Sequence, residues 1–256
     1  MQDWNSGQYL MFANERTQPA IDLANRLLGM EARRVIDIGC GPGNSTAVLA
    51  ERFPGASLLG IDSSPAMIEA ARAACPGAEF RICDAGRELP ALGDGFDVAF
   101  SNACIQWIPD HPRLVRDMLG LLRPGGVLAV QTPMNYEEPI HRIIGEVTAS
   151  AEWRDYFPNP RIFFNLTQPE YFDLLAEVSS GFAIWETTYI HRMSSHEAIL
   201  DWYRGTGLRP YLNGLPDAKK PEFENEIRRR VIERYPAQPN GEILFRFPRF
   251  FFLAYR

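Results

Sequence analysis

A chain of 256 residues, 46% hydrophobic and 23% charged, has the size and balance of a globular protein with one large core. Its formal net charge of −6 repels phosphate backbones and disfavours a nucleic-acid partner. No apolar run reaches the ~18 residues of a spanning helix, and the opening MQDWNSGQYLMFANER lacks the basic-then-apolar pattern of a signal peptide.

In chain order, RRVIDIG reads as a first strand and NSTAVLAERF as the helix after it, closed by Pro54 and Gly55. ASLLGID is a second strand; SPAMIEAARAA is a helix with Ser64 as its cap and Pro65 at its first position. AEFRICD and GFDVAFSNA are strands three and four, HPRLVRDMLGLLRPGG a helix with a glycine stop, and VLAVQTP strand five. This alternation predicts a parallel sheet with helices on both faces, its strand ends gathered on one edge. From Pro133 the rhythm breaks into helical, aromatic segments, then a strand FAIWETTYIH, a helical section over about 195–235, and a last strand EILFRFPRFFFLAYR. Pro248 in that strand predicts an edge position or a bulge. The reading is one domain over 1–256: a cap (1–30), a cofactor-binding half (31–132), substrate-lid segments (133–181 and 191–240) and a C-terminal strand (241–256). Cys40, Cys75, Cys83 and Cys104 form no CxxC pair, which predicts free thiols and a cytoplasmic location.

The loop in VIDIGCGPGNST carries glycines at 39, 41 and 43. A dinucleotide fingerprint needs glycine at 44, where Asn44 stands, and a P-loop needs a lysine that the segment lacks. Asp37 sits at the strand end, facing either the ligand or the core. A carboxylate there repels a pyrophosphate and attracts a cation. Asp62 ends strand two, where an acidic side chain accepts from both ribose hydroxyls. A positively charged nucleoside without phosphates suits both, and S-adenosyl-L-methionine is such a ligand. The plainer reading is a weak glycine turn with an aspartate that caps the next helix; Asp62, Asp84 in RICDA and the LLRPGG segment together weigh against it.

On these motifs the chain resembles the class I, seven-stranded S-adenosylmethionine-dependent methyltransferases over about residues 30–132, which implies a Rossmann-like, mostly parallel sheet. The resemblance brings Gly39 and Gly41 close to the methionyl part of the cofactor and assigns Asp62 to the ribose. It gives Asp84 to the adenine amino group and the backbone at Asn102 to the methionyl amine. Asp37, Asn44, Ser63, Met67 and Ala85 complete the expected cofactor set, with S-adenosyl-L-homocysteine as product. In the N-terminal cap, Tyr9 and Arg16 either close on the methionyl end or belong to a plain amphipathic helix.

Trp4, Asn5, Tyr9, Leu10, Phe12, Arg16 and the stretch PAIDL, with NACIQWIPDH, QTPMN and WYRGTGLRPYL, extend the resemblance over nearly the whole chain. These segments resemble a branch of the family that esterifies one carboxylate of a small unsaturated tricarboxylic acid. Residues 191–212 concentrate His191, Arg192, His196, Arg204 and Arg209 around Trp202, Tyr203 and Tyr211. Arginine forks match carboxylates, so the patch suits a polyacid; the bland reading is a solvated surface with ion pairs to Glu186, Glu197 or Asp201. A bend at Gly205-Thr206-Gly207 is expected to turn Arg204 and Arg209 into one pocket. Tyr9, Gln106, Trp107, His141, Trp202 and Thr206 are the other expected substrate contacts; Trp107 also reads as core and His141 as a surface histidine. His191 and His196 lie five apart on different helical faces, and no HExxH is present, so no metal is expected.

Ser101-Asn102-Ala103-Cys104 replaces the Asn-Pro-Pro-Tyr clamp for planar amines, and Cys104, with no adjoining proline, reads as a small core residue. A carboxylate with a pKa near ~4 is already ionised at neutral pH, so no catalytic acid or base is assigned. The expected activity is carboxyl O-methylation by a monomer or weak homodimer. The alternatives are another acid, such as a fatty acid or a carrier-bound malonyl group, or a catalytically silent cofactor binder. A dinucleotide oxidoreductase is disfavoured by Asp37 and Asn44.

Overall fold

β1 (Arg34–Ile38) and β4 (Phe96–Asn102) lie at the heart of a seven-stranded sheet. Val35, Ile36, Ile38, Val98, Ala99 and Phe100 are fully buried, the unbroken apolar run that a strand covered on both faces requires. The computed structural model describes residues 13–158 and 162–256, with side chains from residue 17 onward. β2 (Ser57–Asp62) and β3 (Glu79–Ile82) extend the sheet beyond β1, and β5 (Leu122–Pro133) lies beyond β4, all parallel. The crossovers carry α2 (Asn44–Arg52), α3 (Pro65–Ala74) and α4 (His111–Gly120). α1 (Ala13–Asn25) packs against α2 and β5. Ser64 caps α3 as expected, its hydroxyl accepting from Met67 N at 3.4 Å.

The helix expected over residues 111–126 ends at Gly120. Leu122 already pairs with Phe96, and Arg123, preceding Pro124, is sterically pushed toward extended backbone. RPGG is therefore the start of β5.

β6 (Gly181–Met193) and β7 (Ile243–Tyr255) complete the order β3-β2-β1-β4-β5-β7-β6, with β7 antiparallel to both neighbours. β5 pairs with β7 only from Arg249 onward, whereas β6 pairs with it along its whole length. Pro248 falls at that boundary. Its carbonyl accepts from Met134 N at 3.0 Å, so its nitrogen faces the same side, past the end of the β5 ladder. An interior strand thus carries a proline where one neighbour has run out.

The free end of the β6–β7 ribbon organises the late helices α5 (Pro139–Thr148), α7 (His196–Arg204), α8 (Arg209–Gly214) and α9 (Lys220–Arg234). Phe245 and Phe247 on its inner face pack with Ile140, Ile143, Trp202, Tyr203, Phe223 and Ile227 into a second core. α6 (Gln168–Val178), opened by a capping box at Thr167 and Glu170, joins the main core through Tyr171 and Leu175.

Candidate active site

Two adjoining cavities open at the C-terminal edge of the sheet, where the connection order reverses between β1 and β4, the usual place for a ligand in an open α/β sheet. The first, of about 410 Å³, is walled by the loops after β1, β2, β3 and β4. Gly39, Gly41, Asn44, Asp62, Ser63, Met67, Asp84, Ala85 and Asn102 all line it. Asp62 carries the loop as well as facing the cavity: Gly41 N donates to its Oδ2 at 3.1 Å and Ser64 N to its Oδ1 at 2.9 Å. Burial raises its pKa above the ordinary carboxylate value, and those backbone donors work the other way. Asp84 is fixed by Gly86 N at 2.9 Å, and Asn44 donates to Thr17 at 3.3 Å.

Asp37 is absent from the cavity wall. It is 2% exposed behind the loop, its Oδ2 accepting from Ser45 at 2.7 Å and Thr46 at 2.6 Å. Of the two orientations open to it, the core-facing one is seen, and it anchors the first turn of α2. Tyr9 lies outside the described residues, as does the side chain of Arg16. The cavity residues fit a cationic nucleoside. Asn102 Oδ1, from a residue on the wall, is a buried acceptor with no hydrogen-bond partner among the described residues, and an ammonium donates to such a group. Among the described residues the wall supplies two carboxylates, Asp62 and Asp84, and one cation, Arg87, which lies 3.9 Å from Asp84.

Asn102, Ala103 and Trp107 are shared with the second cavity, of about 120 Å³. Ala103 was not foreseen. It holds φ +54° with a side chain, a left-handed conformation that costs about 1–2 kcal/mol, fixed by Ala103 N to Gln131 O at 2.9 Å and Gln106 Nε2 to Ala103 O at 2.7 Å. Cys104 lines the first cavity at the same bend, and burial pushes its thiol up to about 12, which keeps it protonated and unreactive.

Gln106, Trp107, His141, Trp202 and Thr206 line the second cavity; so do Asn135, Phe163, Tyr203, Gly207, Phe247 and Arg249, none of them expected as substrate contacts. Tyr203 OH lies 3.0 Å from His141 Nε2 and accepts from Asn135 Nδ2 at 3.3 Å, so two distant segments meet at one hydroxyl. Gly207 is required by close approach, since a Cβ there would lie 2.5 Å from the Tyr203 ring. A third cavity, of about 510 Å³, shares His141, Phe163 and Gly207 with the second and continues it away from the first.

The arginine pair expected in this pocket is not there. Arg204 faces away, meeting Glu197 at 2.6 Å, Asp201 at 2.5 Å and Glu224 at 2.5 Å, so the ion-pair reading of that residue is the one seen. Arg209 opens α8, outside the walls of all three cavities, and neither Gly205 nor Gly207 adopts a positive φ. Arg204→Ala takes this partner from Asp201 and Glu224, while Glu197 keeps Arg228 at 2.9 Å, and should cost about 1–3 kcal/mol, between a surface pair and a buried one. Denaturant unfolding measures it; activity lost with stability intact would return Arg204 to the substrate.

A reversed seventh strand beside β5 and a cavity at the β1/β4 switch with Asp62 at the end of β2 are the features of one class, the class I S-adenosylmethionine-dependent methyltransferases. Similarity to known proteins agrees. A methyltransferase-domain family model matches residues 35–126. YcgJ from Bacillus subtilis shares the fold, with a TM-score of 0.62 at 16% identity, covering 93% of this chain and 98% of its own. Trans-aconitate 2-methyltransferase from Paracidovorax citrulli is 42% identical over 258 residues, covering 100% of this chain and 99% of that one. Trans-aconitate 2-methyltransferase from an Escherichia coli O139:H28 strain is 44% identical over 256 residues, with the same coverage. The chain belongs to the trans-aconitate 2-methyltransferase family.

Cofactor recognition has a direct test. Asp62→Ala should weaken S-adenosylmethionine binding by about 1.5–3 kcal/mol, the range for a hydrogen bond to a charged group. Titration calorimetry reads it, and unchanged affinity would separate Asp62 from the ribose.

Proposed function

We propose that the protein esterifies one carboxylate of trans-aconitate, with S-adenosylmethionine in the first cavity and the acid in the second. One observation carries the reading. The second cavity shares Asn102, Ala103 and Trp107 with the first, and its wall, among the described residues, holds Arg249 and His141 but no carboxylate. Such a pocket accepts a small anion.

When bound, the cofactor supplies an electrophilic sulfonium methyl. The chain's own part is positional. The Ala103 bend sets the boundary between the cavities, and Phe163, Trp202 and Phe247 exclude water from the acid. Ester formation cancels the charge on the attacking oxygen, so strong donors belong on the carboxylates that do not react. No side chain has to take a proton, because the acceptor arrives ionised. Residues 133–181 and 191–240 form the acceptor side in this reading, which Asn135, His141, Trp202, Tyr203 and Thr206 support. We also place the protein in the cytoplasm without a nucleic-acid partner, supported by its free cysteines and its net charge of −6.

A methyl-labelled cofactor offered with trans-aconitate, a fatty acid and a malonyl thioester tests this. Base-labile label should appear on trans-aconitate, at a turnover rate nearly flat between about pH 6.5 and 8.5. Cofactor binding without transfer to any acid would mark a silent binder, and preference for the fatty acid would move the protein to another acceptor.

A further inference from the structure

Arg249 is 6% exposed, an unusual setting for a cation, and it forms part of the second cavity's wall. It comes from β7, where the pattern in ILFRFPRFF explains its direction. Ile243, Phe245, Phe247, Arg249 and Phe251 are buried, while Leu244 and Arg246 in the opposite phase are exposed. Arg249 therefore occupies the inward phase of an apolar strand, at the residue where β5 pairing begins, opposite Pro133. Its guanidinium carbon stands 4.3 Å from the centroid of the Phe247 ring, a stacking contact that holds the planar fork in one orientation. Its charge acts on the hydroxyls of Tyr136, Tyr189 and Tyr203, favouring their ionised forms against the burial that raises all three pKa values. Among the described residues, Glu138 and the Tyr235 hydroxyl also act on Tyr203 and Asp22 acts on Tyr189, and none of the three lines the cavity.

The sheet also fixes where this arginine stands relative to the methyl donor. Asn102, on the shared boundary, pairs with Gln131 of β5, and Arg249 pairs with Pro133 two residues further on. Two strand spacings across and two residues along put the Cα atoms of Asn102 and Arg249 about 12 Å apart. A gap of that size, between Asn102 and a guanidinium held over Phe247 on the same cavity wall, leaves room for a short carbon skeleton with one carboxylate at each end.

We propose that Arg249 is the specificity-determining anchor of the acceptor site, gripping through its fork a carboxylate that does not react. The His141–Tyr203–Asn135 chain forms the adjoining wall. A second carboxylate on the acceptor then orients the first toward the cofactor cavity, and a monocarboxylic acid has nothing to anchor. The inference rests on the carboxyl-methylation reading above and adds to it the residue that selects polyacids.

Arg249→Lys keeps the charge and removes the fork. Its kinetics on trans-aconitate, on glutaconate with two carboxylates, and on crotonate with one are compared with those of the native enzyme. Calorimetry follows trans-aconitate binding to the complex with S-adenosylhomocysteine. The anchor predicts a tenfold to hundredfold loss of kcat/KM and of affinity for the two polyacids, a change below threefold for crotonate, and unchanged S-adenosylhomocysteine binding. Equal losses for all three acids, or none, overturn it while leaving carboxyl methylation intact. If the variant does not fold, the native enzyme decides. Glutaconate should exceed crotonate at least tenfold in kcat/KM, and a ratio near one overturns the anchor. A native enzyme that binds S-adenosylhomocysteine but methylates no carboxylic acid overturns the functional reading, and the anchor with it.

Discussion

Gly39→Ala should lower S-adenosylmethionine affinity on the order of a hundredfold. Two physical causes act together at this residue. Its φ is +75°, a conformation that costs a residue with a Cβ about 1–2 kcal/mol. A Cβ built on it would also lie 2.2 Å from Cys104 Sγ and 2.4 Å from Cys104 Cβ, which no packing tolerates. Relief requires the β1 loop or the bend at Ala103–Cys104 to move, and both line the cofactor cavity; overpacking of this kind costs about 1–3 kcal/mol more. The second variant, Gly39→Ala with Cys104→Gly, separates the causes. It removes the overlap and leaves the backbone strain, so calorimetry should show part of the affinity restored. Native-like binding by the single variant would mean that the loop does not need this close contact.

The cofactor half was legible because each contributor lies within a few residues of a strand end. Asp62, Asp84 and Asn102 each close a short apolar run, and parallel crossovers bring such ends to one edge whatever the loops between them. Asp37 shows the limit of that logic. A strand end has two sides, and only the structure shows Ser45 and Thr46 claiming the carboxylate from behind. The acceptor half was harder for a different reason. Tyr203 and Asn135 are 68 residues apart and Arg249 comes from the last strand, so no local spacing joins them. Two signals were nevertheless present. Asp201 and Arg204 stand at i and i+3 with Glu197 one turn further back, a ladder that marks a solvated helix face. In FRFPRFFF the two arginines fall on opposite phases of a two-residue period, which separates the outward Arg246 from the inward Arg249. The basic patch drew attention by its density, whereas the buried cation on the second cavity's wall comes from an apolar strand, between Pro248 and Phe250.

The contribution of Asp37 to stability should fall as pH rises from about 4 to about 7. Burial pushes its carboxyl up to about 6 from an ordinary 3.8, with the charge of Asp62 adding to the shift and the hydroxyls of Ser45 and Thr46 opposing it. A group whose folded pKa exceeds its unfolded value holds more protons in the native state, so its stabilisation is complete below about 4 and is lost as pH passes 6. The shift corresponds to about 3 kcal/mol in all, of which about 2 kcal/mol falls between pH 4.5 and 7.5. Asp62, whose pKa is also raised by burial, contributes with the same sign. Asp37→Asn retains an acceptor for the two hydroxyls and cannot ionise. The difference in unfolding free energy between native protein and variant should therefore shift by that ~2 kcal/mol across the interval. Denaturant melts at several pH values measure it, and parallel curves for the two proteins would mean that Asp37 does not titrate in this range. The same linkage reaches the ligand. A cation bound near Asp37 and Asp62 favours their ionised forms, so S-adenosylmethionine affinity should climb with pH through about 6 in the native protein and stay flatter in Asp37→Asn. S-adenosylhomocysteine, which lacks the sulfonium charge, should climb less. If both ligands rose equally, the carboxylates would be responding to the shared ammonium alone.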